Sequence, residues 1–363
     1  MSLPKDLSTE ARDAIAERLL TWGRGQRSDL PWRRHRNPYR VLVAEVMLQQ
    51  TQVATAAPYF ERFLTRFPTV ESLAAASLDD VLKQWEGLGY YARARNLHKA
   101  ARLIVERYGG SVPDDQDALQ SLPGIGRYTA GAILSLAFGQ DVPALDGNAR
   151  RVLCRLFAVE EDPRLSTTQR RLWRLAEALL PRGRSGAFNE ALMDLGATLC
   201  TPQAPRCFAC PLLGLCEAQR QGLQESVPPK ASRRPLPHYD VTAAVIEDEH
   251  GRLLVSRRPL HKLLGGLWEF PGGKREEGET LAECLARELR EELGIEVTVG
   301  EEIMTFPHAY THFRVTLHVF RCCIVAGTPR PLEAADVRWA APEELKRLAF
   351  ARTDRRILET VLR

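Results

Sequence analysis

The apolar period changes once along this chain, and that change limits the folds open to it. From about Leu7 to Leu199 apolar residues recur three and four apart, as in Leu78, Val81, Leu82 and Trp85 or in Leu172, Leu175, Ala176 and Leu179. Proline and glycine mark the breaks, so this half is expected to be all-α. After about His238 the pattern shortens to that of strands: Tyr239 to Glu247, a turn at DEHG, Leu253 to Ser256, and later Arg314 to Val325. One strong helix, Leu281 to Leu293, sits among them, so the second half is expected to be α+β. Between the halves QGLQESVPPKASRRPLPH is polar, proline-rich and too poor in apolar residues to form a core element. The expected multidomain plan is a helical domain over 1–218, a linker over 219–237 and an α+β domain over 238–363. A length of 363 residues agrees with two cores rather than one. No internal repeat or low-complexity tract interrupts this plan.

Four of the eight cysteines, Cys200, Cys207, Cys210 and Cys216, crowd one short stretch as C-x6-C-x2-C-x5-C. Pro202, Pro205 and Pro211 lie among them, which prevents a continuous helix and lets the ligands converge. Cys154, Cys284, Cys322 and Cys323 are scattered in apolar stretches, a distribution unlike a disulfide framework and suited to a reducing compartment. Four soft thiolates without histidine suit iron–sulfur or zinc, and spacing alone does not choose between them. No run of eighteen apolar residues occurs, and Met1 to Glu10 is charged and contains a proline where a signal peptide needs an apolar core. A cytoplasmic protein without a membrane partner is expected. The formal charge of +4 is modest, yet 50 basic side chains suffice for a local face that meets phosphates.

Two carboxyls stand in contrasting settings. Glu45 is the only charged residue in VLVAEVML, a run apolar all round a helix, so desolvation is expected to raise its pKa and make it a general acid. The bland alternative is a glutamate at a helix surface. Asp146 follows VPAL and begins a new helix, Gly147 to Phe157, whose N-terminus favours the anion. A plain N-cap is the alternative there. One carboxyl driven towards neutral and one held anionic is a means of breaking a glycosidic bond through a cationic transition state. Leu122-Pro123-Gly124-Ile125-Gly126 lies between helical segments at Asp115 to Ser121 and Arg127 to Phe138. Its glycines permit a tight turn whose backbone N–H groups can face a DNA phosphate, or simply an ordinary helix-to-helix turn.

In the second half, Gly273 to Ile295 reads G-x5-E-x7-R-E-L-x-E-E-x-G-I. Glu288, Glu291 and Glu292 share one helix face, and Glu279 and Arg287 can complete a shell that holds Mg²⁺ against a diphosphate. An acidic helix face that is merely solvated is the alternative.

PWRRHRNPYRVLVAEVMLQQT, LPGIGRYTAGAI, ALDGNARRVLCRL, FNEALMDLGATLC and the cysteine loop, in this order, resemble the MutY-type adenine DNA glycosylases of the endonuclease III-like, helix-hairpin-helix superfamily. The resemblance spans essentially the whole first half. It implies a 4Fe–4S cluster on the four cysteines, in a loop whose Arg206 approaches DNA, and a monomer acting on double-stranded DNA at adenine paired with 8-oxoguanine or guanine, on the nucleoid of a bacterial-type cell. By the same resemblance Glu45 protonates a flipped-out adenine, and Asp146 stabilises or captures the sugar cation. Asn148 and Glu190 orient the aspartate and the base, Trp32, Arg33 and Thr51 meet substrate, and Gln50 and Tyr90 fill or wedge the stack. The hairpin residues Leu122, Gly124 and Gly126 hold the backbone. Tyr128 stands where bifunctional relatives carry a Schiff-base lysine, which implies a glycosylase that does not cut the strand; a tyrosine packed beneath the hairpin is the alternative. LGGLWEFPGGKREEGE and the acidic pattern resemble an intact Nudix box of the MutT type, where MutY-type enzymes commonly carry a decayed one. Three readings follow: a lesion-recognition domain with residual metal affinity, an additional 8-oxo-dGTP-type hydrolase, or a fold helix whose acids pair with arginines. FPHAYTHF resembles the lesion-reading loop, with Tyr310 as a wedge and Thr311 and His312 as bonding groups, or else a β-hairpin with exposed aromatics.

Overall fold

The computed structural model describes residues 8–229 and 235–362. Leu7, where the helical pattern begins, and 230–234 of the expected linker lie outside the described residues. The helices run α1 (Thr9–Gly23), α2 (Pro31–Arg34), α3 (Pro38–Leu48), α4 (Val53–Arg66), α5 (Val70–Ala74), α6 (Leu78–Trp85), α7 (Ala92–Tyr108), α8 (Gln116–Gln120), α9 (Arg127–Ala137), α10 (Gly147–Leu156), α11 (Ser166–Leu179), α12 (Ser185–Thr198) and α13 (Glu217–Arg220). A short 3₁₀ turn, Cys207–Ala209, lies in the cysteine stretch. Then follow β1 (His238–Ile246), β2 (Leu253–Arg257), β3 (Trp268–Glu269), α14 (Leu281–Leu293), β4 (Glu296–Ala309), β5 (Arg314–Ala326), β6 (Asp336–Ala340), α15 (Pro342–Leu345) and α16 (Arg352–Val361). The all-α and α+β halves are as the periodicities require. Among the described residues no helix is long and apolar enough to cross a membrane.

The chain forms two compact units, one of 1–74 and 99–232, the other of 75–98 and 233–363. In the first, Leu19 and Leu20 of α1, Val152 and Leu153 of α10, Leu172 and Leu175 of α11, and Phe188, Leu192 and Leu195 of α12 form one apolar core. The three-and-four spacing puts each set on a single helix face, and burying such faces is the main favourable term in folding. Val227 of the expected linker is buried in the same core, with Leu223 four residues earlier packed against it, so 219–229 is part of this unit.

In the second unit β1, β5 and β4 form one three-stranded sheet, β1 parallel and β4 antiparallel to β5; β3, β2 and β6 form an antiparallel second. Leu285, Leu289 and Leu293 of α14 pack with Ala244, Ile246 and Phe320. That helix starts in a Thr280–Glu283 capping box and stops at Gly294, whose φ of 67° is the left-handed conformation glycine adopts without a Cβ penalty. Residues 75–98 read as helical in sequence, and several of their polar pairs lie within this unit. The Phe350 N–H and Arg355 Nε donate to Glu86 (3.0 and 3.1 Å), and Lys83 Nζ donates to the Leu348 carbonyl (3.0 Å).

Candidate active site

Residues 41–47 of α3 are buried on every face, Glu45 included at 5% exposure. Tyr128, in the first turn of α9, donates its hydroxyl to Glu45 Oε2 at 2.6 Å and lies 3.4 Å from Met193 Sδ. Burial pushes the Glu45 carboxyl up to about 7. The phenol's hydrogen bond and Arg33 oppose that rise, while Asp146 and Glu190 add to it. A carboxyl poised there holds a proton near neutral pH.

Asp146 is the N-cap of α10. Its Oδ1 accepts from the Ala149 N–H at 2.6 Å and its Oδ2 from Asn148 Nδ2 at 3.0 Å. The sequence leads one to expect the helix N-terminus to dominate, yet burial outweighs these donors and the carboxyl lies above its ordinary value. Both acids are thus raised, and they differ in their donors: one phenol for Glu45, a backbone N–H and an amide for Asp146. Asn148 is fixed in turn by Arg151, whose Nη2 donates to Asn148 Oδ1 (2.8 Å) and to the Gly196 carbonyl (2.7 Å), while its Nε donates to the Cys200 carbonyl (2.7 Å). Only glycine fits at 196, since a Cβ there would come within 2.6 Å of Asn148 Cβ and 2.8 Å of its backbone.

A third carboxyl, Glu190 of α12, is paired with Arg36 at 2.5 Å and approached by Arg33 Nε at 3.4 Å. Arg33 makes its strong contacts elsewhere, donating two hydrogen bonds to Asp194 at 2.8 and 3.0 Å. Glu45, Tyr128, Asp146, Asn148, Glu190, Trp32, Arg33, Gln50 and Thr51 all line one open cleft of about 1160 Å³. Trp32 is buried edge-on against Phe60 with ring centroids 5.5 Å apart. Gln50 is exposed with a φ of 56°, a strained backbone for a non-glycine residue of the sort concentrated at functional turns.

The hairpin candidates are not among the residues lining that cleft. Leu122 is buried beneath the hairpin, Gly124 takes a φ of 80°, and Gly126 stands at the start of α9, which no side chain caps. In the second unit Tyr90, with a φ of 49°, shares a hydrogen bond of 2.8 Å with the Thr311 hydroxyl. Tyr310, Thr311 and His312 form the β4–β5 turn, closed by Tyr310 N–H donating to the Phe313 carbonyl at 2.9 Å. The Tyr310 ring is packed between His308 (4.7 Å) and Phe313 (4.8 Å).

None of the four clustered cysteines is in a disulfide, and all line one small cavity, with Arg155, Leu199, Pro205 and Leu213 among its walls. Arg155, 3% exposed, donates to Cys200 Sγ at 3.2 Å and to the carbonyls of Thr201 (2.7 Å) and Val227 (2.8 Å). Arg206 donates to the Thr198 carbonyl at 2.8 Å. On α14, Arg287 gathers the acids of the Gly273 to Ile295 segment: Glu279 at 2.6 Å, Glu288 at 2.9 Å and Glu291 at 3.0 Å. Its guanidinium holds Glu279 down at about 2. Glu292 stands outside this clamp, and burial pushes its carboxyl up to about 7. Among the described residues no three His, Cys, Asp or Glu side chains are placed to hold a single metal ion.

Sequence reasoning missed Arg151, Asp194 and Gly196. Signals existed for the first two: Arg151 follows Asn148 by three and Asp194 follows Glu190 by four, so each pair shares a helix face.

The family described as HhH-GPD superfamily base excision DNA repair protein matches residues 43–178, and the NUDIX domain matches 242–360. A thermostable thymine-DNA glycosylase is similar in structure over 60% of this chain and all of its own, with a TM-score of 0.55 at 32% identity. An endonuclease III–DNA complex is similar over 60% of this chain and 99% of its own, with a TM-score of 0.51 at 26% identity. Fold and site together define a helix-hairpin-helix glycosylase scaffold joined to a Nudix-like domain. The adenine DNA glycosylase of Rattus norvegicus is 38% identical over 96% of this chain and 78% of its own length, and that of Homo sapiens 38% over 92% and 71%. That of Buchnera aphidicola subsp. Acyrthosiphon pisum is 36% identical over 84% and 85%. The chain belongs to the adenine DNA glycosylase family.

Proposed function

We propose that this protein hydrolyses the N-glycosidic bond of adenine mispaired with 8-oxoguanine or guanine in double-stranded DNA. The observation that carries this reading is the pairing in one cleft of Glu45, buried and hydrogen-bonded to a phenol, with Asp146 at the head of α10. Glu45 donates its proton to the flipped-out base, which turns adenine into a neutral leaving group. Asp146, steadied by Asn148 and the Ala149 N–H, opposes the positive charge that develops on the sugar. Glu190, held by Arg36 and lining the same cleft, helps orient the base. Water completes the hydrolysis. Tyr128 has no amine to attack the sugar, so the strand stays intact.

The four thiols suit a 4Fe–4S cluster: all four line one cavity, and no histidine is among its lining residues. Such a group, when bound, locks the 200–216 loop into shape. Tyr310, Thr311 and His312 of the β4–β5 turn read the oxidised guanine, and Gln50 and Tyr90 fill the stack. A divalent cation at Glu279, Glu288 and Glu291 has to displace Arg287 first, which favours the recognition reading of the Nudix-like domain over hydrolysis. The protein acts as a monomer on the bacterial-type nucleoid, in the cytoplasm. The deciding assay uses an adenine:8-oxoguanine duplex with and without alkali. Base release with strand scission only after alkali is expected; scission without alkali overturns the monofunctional assignment, and no release overturns the activity.

A further inference from the structure

Arg33 meets two carboxyls of α12. It donates two hydrogen bonds to Asp194 (2.8 and 3.0 Å) and one to the Gln26 carbonyl (2.8 Å). Its Nε comes within 3.4 Å of Glu190, and its charge reaches Glu45. The groups that act most strongly on Glu45 come from four elements: Arg33 of α2, Tyr128 of α9, Asp146 at the head of α10 and Glu190 of α12. Arg33 is the cation among these, and Arg27, Arg36, Arg150 and Arg151 line the same cleft. A guanidinium close to a carboxyl favours the anion and so strips a general acid of its proton.

Asp194 is 3% exposed, and besides Arg33 it meets Arg27 at 3.5 Å. Burying a carboxylate costs several kcal/mol unless it is well paired, so a buried residue of this type needs a reason. Holding Glu190 is not that reason, because Arg36 already pairs with Glu190 at 2.5 Å. Burial alone would weaken the protonation of Arg33, yet the Asp194 hydrogen bonds and the nearby carboxylates reverse this, so the guanidinium is permanently charged. Its effect on the cleft therefore depends on where that charge is directed.

We propose that Asp194 is a positioning residue that draws Arg33 away from Glu45 and balances its charge, so that Glu45 keeps its proton at neutral pH. This inference rests on Glu45 being the general acid. It makes the working pH range of the enzyme a property of α12 as much as of the acid itself.

The test is the pH profile of single-turnover adenine release at saturating protein, from about pH 5.5 to about 9, read as the position of the alkaline limb. In Asp194→Asn the limb should move down by about one pH unit, because Arg33 then acts on Glu45 without its counter-charge. In Arg33→Gln it should move up. In the double variant it should coincide with that of Arg33→Gln alone, because Asp194 acts through Arg33. A folded Asp194→Asn protein, judged by a cooperative thermal melt, whose limb stays in place overturns the inference. So does a double variant whose limb still lies below that of Arg33→Gln. Should Asp194→Asn fail to fold, Arg33→Gln decides alone, and an unmoved limb counts against the proposal. Glu45→Gln separates the two claims: if it keeps rate and limb, Glu45 is not the acid and both fall. If it is inactive while the Asp194→Asn limb is unmoved, only the role of Asp194 falls.

Discussion

Glu45 and Asp146 in the helical unit take their hydrogen bonds from neutral donors: a phenol, a backbone N–H and an amide. Glu279, Glu288 and Glu291 in the other unit instead share one guanidinium, that of Arg287. The outcome differs accordingly, with Glu45 pushed up to about 7 and Glu279 held at about 2. A neutral donor orients a carboxyl and leaves its proton exchangeable. The Arg287 guanidinium holds Glu279 as an anion, while at half-buried Glu288 burial outweighs the same guanidinium and the carboxyl is raised. The acids of the Gly273 to Ile295 segment thus tie α14 to the loop before it. The acids of the cleft are left able to do chemistry. Arg33 is the place where the first region comes close to resembling the second.

The sharpest way to break this comparison is Glu45→Gln. It removes the exchangeable proton and should slow single-turnover adenine release by about a thousandfold. The same variant tests the cost of keeping an acid buried. The folded-state value of Glu45, about 7, lies above its ordinary 4.5, so its contribution to stability is fully present below about 4.5 and is lost as pH rises through 7. Glu45→Gln should match the parent protein in thermal midpoint at about pH 4.5 and exceed it above pH 7, by roughly 2–3 kcal/mol at most. Equal midpoints at every pH would show that Glu45 is not desolvated. Gly196→Ala places a methyl against Asn148 and should cost about tenfold in release rate, because the partner of Asp146 shifts by a fraction of an ångström. Its folding stability should fall as well, by the amount typical of overpacking, about 1–3 kcal/mol. Arg287→Gln frees three carboxylates at a partly exposed site, so the loss in a melt of the full chain should be the smallest of these effects. Adenine release at saturating protein should not change. A large loss of release would mean that the clamp supports more than its own loop.

Several elements were legible because their signals are local. The Leu281–Leu293 helix has the predicted bounds, α9 and α10 begin at the predicted residues, and β2 begins at the predicted Leu253. Glu45 stood out as one charge in an apolar run, and its burial follows from that pattern. Other features depend on partners remote in sequence. The strand at 296–309 extends further than its mixed polar pattern suggests, since its register with β5 shifts between Val299 and Met304 and breaks the alternation of a half-buried strand. Residues 75–98 read as part of the helical half, yet Glu86 finds its donors on Phe350 and Arg355. The proline-rich stretch reads as linker, yet Val227 is buried and its carbonyl accepts from Arg155.

By itself the sequence determined which half is helical, where four thiols gather, and which acids lie in apolar or helix-capping settings. Those properties follow from spacing and from the intrinsic chemistry of each residue. Only the tertiary structure decided how those acids titrate. The donor to Glu45 is Tyr128, the cation near it is Arg33, and the carboxylate that engages that cation is Asp194. Protonation sums desolvation and charge over everything nearby in space, and folding brings those groups together from segments that share no local pattern.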